Sequence, residues 1–267
     1  GGAGWQLADW IVEGEPGVDM LDLDPRRYGG HCTRDYLVAR SMETYAHVFA
    51  IHYPDEERPA GRPLRMSPCH DHLADMGAVF GTCGGWERAS WFAPDGVDRQ
   101  DHFSFRRPRW FDHACAEAQH LARHAGILDM SGLAKCRVTG PGAEAFLNRL
   151  VANRLPVSGR IALCHALTPG GGVHSEFTIL RELDDSFYLV SATAWRERDH
   201  DWLRQHMPQD GTVTLEDLTE RQGVLVLAGP ATRQILQQLS EEDFSTPAFP
   251  WLSARQVRIA GVDLLAM

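Results

Sequence analysis

The alternation of apolar and polar residues along the chain predicts a mixture of short helices and short strands. Apolar residues spaced three and four apart indicate amphipathic helices, and a period of two indicates strands with one buried face. The predicted helices cover residues 5–13, 35–47, 68–74, 111–124, 143–150, 195–205 and 231–239. The predicted strands cover residues 77–81, 85–92, 135–138, 160–167, 173–181, 186–192 and 212–218, and a strand–turn–strand closes the sequence from residue 256. The pattern is typical of an α+β fold.

Proline and glycine divide this pattern into parts. Residues 93–109 combine these residues with many charges, which predicts an irregular connector with separate cores before and after it. The predicted parts are a terminal segment over 1–28, a small mixed domain over 29–92, the connector over 93–109 and a larger domain over 110–267. The sequence begins with glycine and ends within a predicted hairpin. We therefore expect it to be an internal piece of a longer polypeptide.

Two segments of the larger domain repeat one another at an offset of 89 residues. Residues 138–150 and 227–239 each contain a strand end, a Gly-Pro turn and a helix with apolar residues at helical spacing. Gly140 and Gly229 occupy matching positions in the two turns. We therefore predict a duplicated strand–helix arrangement in which the two units have equivalent places.

The composition argues against several classes of partner. The chain has 26 Lys and Arg against 36 Asp and Glu, a formal net charge of −10, which argues against nucleic acids and anionic membranes. No apolar run reaches the length of a membrane-spanning helix. Lys135 is the sole lysine, so a Walker-type phosphate loop is excluded and a pyridoxal Schiff base could form only there. The six cysteines are scattered, which favours a reducing, intracellular setting.

A cluster of cysteine and histidine is a candidate metal site with a simpler alternative. Cys69 and His72 share one face of a predicted helix, as two metal ligands would. A second ligand pair does not follow nearby in the sequence. A solvated helical turn is therefore favoured, and we predict no metal.

Two further patterns are candidate ligand sites. Gly1, Gly2 and Gly4 precede a predicted helix, whose N-terminus either attracts an anionic ligand or simply begins a helix. Glu176 follows the glycine-rich turn at 170–172. A carboxylate at that place stands either at the rim of a pocket between strands or at an exposed strand end.

The order of several motifs resembles the dimethylglycine and sarcosine dehydrogenase family over almost the whole chain. The motifs similar to the end of its flavin domain are Gly1–Pro16 and Asp24–Tyr28. Those similar to its middle domain are Tyr53–Arg62 and Gly85-Trp-Glu-Arg-Ala-Ser-Trp-Phe92. Those similar to its folate-binding domain are Gly126–Ser131, Gly140-Pro-Gly142, Thr168–Val173 and Glu176–Ile179. This last domain is shared with the aminomethyltransferase, or T-protein, of glycine cleavage.

The resemblance implies an α+β fold, in which a small mixed middle domain precedes a duplicated strand–helix domain of the T-protein type. It implies a flavin-dependent oxidoreductase that oxidises the N-methyl group of a small amino acid to an iminium. Tetrahydrofolate captures the one-carbon unit as 5,10-methylenetetrahydrofolate, and FAD belongs to the full-length protein. The implied electron acceptor is an electron-transfer flavoprotein or oxygen. The implied location is the bacterial cytoplasm, or the mitochondrial matrix in a eukaryote.

The resemblance also implies which residues form the folate site. Glu176 takes the place of a family aspartate as the catalytic acid–base group, with a side chain one methylene longer. Tyr188 and Val190 match a family tyrosine and a hydrophobic contact, and Leu133 takes the place of a methionine. Leu163 is a further implied folate contact.

In the intact enzyme, the resemblance places Gly1, Gly2 and Gly4 at a helix N-terminus that faces the flavin. The helix dipole there would stabilise negative charge on the reduced ring. We expect the chain alone to be inactive. Two other interpretations stay open, namely a stand-alone folate-binding or aminomethyltransferase-like module without oxidase activity, and the large subunit of a heterotetrameric sarcosine oxidase.

Overall fold

The computed structural model describes residues 2–14, 16–20 and 23–267. Its α-helices are α1 (Gly2–Glu13), α2 (Arg34–Ala46), α3 (His70–Asp75), α4 (Phe111–Arg123), α5 (Ala143–Leu150), α6 (Arg196–His206) and α7 (Thr232–Leu239), with short 3-10 helices at Pro25–Arg27 and Thr193–Trp195. Its strands are β1 (Ala78–Cys83), β2 (Trp86–Phe92), β3 (Gly126–Asp129), β4 (Ala134–Thr139), β5 (Ile161–Leu167), β6 (Val173–Leu183), β7 (Ser186–Ser191), β8 (Thr214–Asp217), β9 (Leu225–Ala228), β10 (Arg255–Ile259) and β11 (Val262–Ala266). Within the described ranges, every helix is too short or too polar to cross a membrane.

Helix starts follow local capping signals, with one correction. The Thr33 hydroxyl caps α2 by accepting a hydrogen bond at 3.2 Å from the amide three residues on. The helix predicted from Pro68 begins instead at His70. The Ser67 hydroxyl accepts a hydrogen bond from the Cys69 amide at 3.2 Å and donates one to Asp129. Ser67 therefore ties this turn to β3 rather than capping a longer helix.

The antiparallel hairpin of β1 and β2 shares a small core with the connector. Residues 93–109 contain no helix or strand, as their proline and glycine content predicts. The residues buried in this core are Val79, Trp91 and Ala93, and Val97 and Trp110 pack against them. The core of the hairpin therefore reaches the residue that precedes α4, while the main sheet has a larger core of its own.

The main sheet is antiparallel and has the strand order β5-β6-β7-β4-β8. Its inner face follows the period of two, since Phe177 and Ile179 of β6 and Phe187 and Leu189 of β7 are completely buried. These side chains pack against α5, where Leu147 is also completely buried, and against α6. The side chains that alternate with these, among them Glu176 and Thr178 of β6, therefore fall on the opposite face.

That opposite face is covered only in part. Leu180 and Tyr188 are buried with Leu218 and Ala254, and β11 packs alongside. Nearer the turn between β5 and β6, the register places His165 opposite Glu176. This end of the sheet reaches solvent, because the cover does not extend to it.

The two Gly-Pro units share a backbone geometry, but their helices differ in burial. Gly140 and Gly229 have positive φ angles of 115° and 107°, and each is followed by the predicted helix. The inner face of α5 is buried, whereas α7 has no buried residue. The strand pairings agree with the prediction, because the 89-residue offset carries β3 onto β8, and β4 pairs with β8 as β9 pairs with β3. The packing of the two helices is not equivalent among the described residues.

Candidate functional site

Glu176 lies close to the beginning of β6, directly after the tight turn that joins β5 to β6. In this turn the Thr168 amide donates a hydrogen bond to the Gly172 carbonyl at 2.8 Å. Gly171 has a φ of 83°, a conformation that glycine adopts without strain. The turn and the register of β5 with β6 therefore hold the Glu176 backbone in a defined place.

The Glu176 carboxylate is paired with an imidazole across the strands. His165 Nε2 lies 3.0 Å from Glu176 Oε2. Both side chains remain accessible, with 40% of His165 and 58% of Glu176 exposed. The pair can therefore meet a ligand from solvent.

Glu176 forms part of the wall of a cleft of about 550 Å³. Leu133 and Val190 contribute apolar surface to the same cleft. Small-molecule sites commonly have volumes of roughly 300–1,000 Å³, so this cleft has the size of a ligand site. The other lining residues are Asp19, Val173, His174, Ser175, Thr178, Ser191, Ala192, Trp195, Arg198 and Asp199.

Two of the residues predicted to contact folate lie outside this lining. Tyr188 is buried in the core beneath β11, and its hydroxyl donates a hydrogen bond to Gln222 at 2.9 Å. Burial raises the pKa of Tyr188 to about 12. Leu163 is half exposed on β5, on the same sheet face as Glu176. The other three predicted residues, Glu176, Leu133 and Val190, line the cleft together, whereas Tyr188 is part of the buried core.

The cleft contains buried polar groups that are paired with one another. The Ser175 hydroxyl donates a hydrogen bond to Asp199 Oδ1 at 2.6 Å. Burial raises the pKa of Asp199, and this hydrogen bond counteracts part of the effect. The His174 ring stacks on Trp202 with ring centres 3.9 Å apart. Because burial lowers the pKa of His174 to about 4, its imidazole adds no positive charge at neutral pH.

Arg198 brings a positive charge to the cleft lining. Its guanidinium lies over the Trp195 ring, 3.9 Å from the ring centre, and donates a hydrogen bond to the His174 carbonyl oxygen. The Nε atom is buried and has no hydrogen-bond partner among the described residues. Burial lowers the pKa of Arg198, while the negative charges of Asp199 and Asp19 counteract part of the effect.

Lys135 lies beside the cleft but inside the protein. It pairs in the sheet with Val190 of the cleft wall, and it is completely buried. Its Nζ donates a hydrogen bond to the Ser131 carbonyl at 2.6 Å. Burial lowers the pKa of Lys135 to about 8, and the charges of Glu220 and Asp217 counteract part of the effect. A buried amine of this kind is closed to a pyridoxal cofactor.

The glycines predicted to face FAD are solvated where the structure describes them. Gly1 lies outside the described residues. Gly2 and Gly4 belong to the first turn of α1 and do not precede it. A Cβ added at either position would meet nothing within 4 Å. The described residues therefore form no cradle for a flavin at these glycines.

The cysteine–histidine cluster of α3 also lacks the surroundings of a metal site. Among the residues that the structure describes, no group of three or more His, Cys, Asp and Glu side chains is arranged to hold a metal ion. His70 instead stacks on Phe80, with ring centres 4.4 Å apart.

Sequence reasoning missed several cleft residues. His165 lies two residues after Leu163 on the same face of β5, but only the register of the strands places it opposite Glu176. Trp195 and Arg198 are three residues apart, a helical spacing that brings side chains together and could have indicated their stacking. Asp19 reaches the cleft from a distant segment, so it had no local signal.

Two family models together match most of the chain. The model of the GCVT N-terminal domain matches residues 69–267. The model of the FAD dependent oxidoreductase central domain matches residues 13–67. The cleft residues on the main sheet fall within the first match, and Asp19 falls within the second. The domain limits derived from the sequence stay a prediction.

Individual relatives match the chain over its whole length. It is 34% identical to mitochondrial dimethylglycine dehydrogenase of Rattus norvegicus, in a match that covers 100% of this chain and 31% of the relative. It is 29% identical to mitochondrial sarcosine dehydrogenase of Homo sapiens, where the match covers 100% of this chain and 34% of the relative. The chain thus spans about a third of the length of these relatives.

A solved structure supports the fold. The glycine cleavage system aminomethyltransferase T from Bartonella henselae superposes with a TM-score of 0.58 and 20% sequence identity. The superposition covers 72% of this chain and 47% of that protein. At this identity the likeness shows the fold alone, and it confirms the predicted α+β fold of the T-protein type.

Proposed function

Because the chain belongs to the dimethylglycine and sarcosine dehydrogenase family and carries its GCVT N-terminal domain, we propose that its cleft performs a folate-linked step. In this proposal the ligand is tetrahydrofolate and the product is 5,10-methylenetetrahydrofolate. The supporting observation is the position of Glu176, which stands in the wall of a ligand-sized cleft beside Leu133 and Val190.

The chemistry of the lining suits such a ligand. Leu133 and Val190 offer apolar surface to an aromatic ring system, and the Glu176 carboxylate offers an acceptor to a ring nitrogen. Tetrahydrofolate, when bound, supplies an amine nitrogen that takes up a one-carbon unit. The residues present therefore fit the group.

Glu176 would serve as the proton acceptor of this step. His165 lies 3.0 Å from Oε2 and holds that oxygen, which leaves Oε1 to accept a proton from a ligand nitrogen. A carboxylate at this place would also stabilise positive charge that develops on the ligand. Tyr188 would act only through the packing of the sheet, because it lies in the core.

The proposal extends to the whole enzyme. The names of the two relatives refer to dimethylglycine and sarcosine, so we propose a small N-methylated amino acid as substrate. FAD would be held by the flavin domain of the full-length protein, with an electron-transfer flavoprotein or oxygen as acceptor. The location would be the bacterial cytoplasm or, in a eukaryote, the mitochondrial matrix that the relatives' names suggest.

The test is Glu176→Gln in the flavin-containing enzyme of which we propose this chain is a part. General acid–base groups commonly contribute about 10²–10⁴-fold, so formation of methylenetetrahydrofolate should slow by that factor. Flavin reduction by the amine should keep its rate, because it occurs at another site. Released formaldehyde should rise correspondingly, as measured by a colorimetric assay.

Glu144→Gln is the matched control. The Glu144 side chain is 55% exposed and pairs with Arg181 at 2.9 Å, so it resembles Glu176 in exposure and pairing. It lies outside the cleft on α5 and should leave both rates unchanged. If Glu176→Gln forms methylenetetrahydrofolate at the wild-type rate, Glu176 has no role in this step and is an ordinary glutamate at a strand end.

A further inference from the structure

The cleft lining carries charges of both signs, since the cation Arg198 lies near Asp199 and Asp19, and Glu176 lies on another element. Glu176 projects from β6, while Arg198 belongs to the first turn of α6. His174, which also belongs to β6, lines the cleft and is neutral at pH 7, because burial lowers its pKa to about 4. A ligand that carries a basic nitrogen and a separate anionic group would match Glu176 and Arg198.

The Arg198 guanidinium is held in place but is only partly satisfied. Its stacking on Trp195 fixes the plane of the group, and one Nη atom donates to the His174 carbonyl. The Nε atom is buried without a partner among the described residues. The negative charges of Asp199 and Asp19 lie nearby, but the hydrogen bond goes to a neutral carbonyl, which compensates a cation less well than a carboxylate does. The group is therefore fixed and partly desolvated, and the Nη atom that does not bond to His174 can donate to an anion that enters the cleft.

Arginine is suited to recognise a carboxylate, because its planar fork can donate two parallel hydrogen bonds. Stacking on Trp195 removes much of the side-chain freedom that binding would otherwise cost. The pteroylglutamates of the proposed function carry carboxylates on the glutamate tail, away from the ring nitrogens.

We propose that Arg198 anchors the glutamate carboxylate of the folate ligand, so that the cleft selects pteroylglutamates over pteroates. This inference rests on the proposed function, because it assigns a subsite of the same cleft. Arg198 is a specificity-determining residue in this account, and Glu176 acts at the reacting end.

The experiment compares two ligands that differ only in the tail. The flavin-containing enzyme of which we propose this chain is a part is titrated calorimetrically with 5-formyltetrahydrofolate and with 5-formyltetrahydropteroate, which lacks the glutamate. Hydrogen bonds to charged groups are worth about 1.5–3 kcal/mol, so the wild type should bind the glutamate-bearing ligand about 10- to 100-fold more tightly. Arg198→Gln should remove this preference and leave the affinity for the pteroate unchanged. Arg198→Lys should keep part of the preference.

Arg107→Gln is the control, because Arg107 also lies over an aromatic ring, 4.4 Å from the centre of Phe111, but outside the cleft. It should keep the preference of the wild type. Thermal unfolding of each variant shows whether the fold persists, and a destabilised Arg198→Gln is replaced by the lysine variant in the comparison.

The outcomes separate this inference from the proposed function. Equal binding of both ligands by the wild type would overturn the anchor and leave the folate proposal standing. An equal loss of both ligands in Arg198→Gln would show a structural role and also overturn it. Failure of the wild type to bind either ligand would count against the folate proposal, and the anchor would fall with it.

Discussion

The two Gly-Pro units have similar sequences and turns, but their helices differ in burial. In the first unit, α5 lies on the main sheet and buries Leu147 completely. In the second, the corresponding Leu236 of α7 is only partly buried, and Ile235 and Leu239 are 40% and 49% exposed. A short sequence pattern thus determines the turn and the helix, whereas burial depends on which strands the rest of the chain places beside them.

The surroundings of the two strands explain the difference. β4 lies between β7 and β8, so its unit is enclosed by the sheet and by α6. β9 pairs with β3 in a separate two-stranded sheet, in which Ile127 and Leu225 are more than half exposed. The second unit therefore has the amphipathic pattern of a core element, and its apolar side chains are largely exposed among the described residues.

The largest expected effect comes from Leu147→Ala. Loss of a completely buried leucine leaves a cavity, which should lower the free energy of unfolding by about 2–5 kcal/mol. The matched change Leu236→Ala should cost less than about 1 kcal/mol, because its side chain already reaches solvent. Urea unfolding of both variants measures the difference, and equal losses would mean that α7 is packed as tightly as α5.

The next largest effect on stability is expected from Lys135. Its ammonium group is buried at the position where the second unit has Val224. Its folded-state pKa of about 8 lies below the ordinary value of 10.5, so the unfolded chain binds more protons between these two pH values. Stability should therefore rise with pH through this window, by at most about 3 kcal/mol. The free energy of unfolding of Lys135→Met, measured from pH 7 to pH 10, should lack this rise; parallel curves for the two proteins would contradict the assignment.

The two turn glycines should give smaller effects that resemble each other. An added Cβ would lie 2.3 Å from the Thr212 carbonyl oxygen at Gly140 and 2.4 Å from the His124 carbonyl oxygen at Gly229. Alanine at either position should therefore cost about 1–3 kcal/mol locally. Hydrogen exchange in the adjoining strands measures these losses. Gly96→Ala is the control, since its φ is 81° but nothing lies within 4 Å of the added atom, so a smaller cost is expected.

Helix and strand positions followed from the sequence wherever the periodicity extended over several residues. The helix predicted over 143–150 is α5 itself, and the predicted connector lacks regular structure. The four-residue strands β3 and β9 were harder to predict from the sequence, because so short an apolar run has no measurable period.

Only part of the candidate site could be predicted from the sequence. Glu176, Leu133 and Val190 were named and share the cleft. Tyr188 was also named, but it lies in the core. Nothing in the sequence indicated that residues 254 and 265 cover that part of the sheet. Contacts between distant segments depend on register and packing, for which a local pattern carries no signal.

The burial of Lys135 has a consequence for chemical labelling. It is the sole lysine of the sequence, and its side chain is completely enclosed. An acylating reagent can therefore reach a side-chain amine of this chain only while the main sheet opens. The rate at which this lysine is acylated, followed by mass spectrometry, would report the frequency of such openings under native conditions. The wild-type chain thus contains its own probe of breathing motions, at a position beside the cleft.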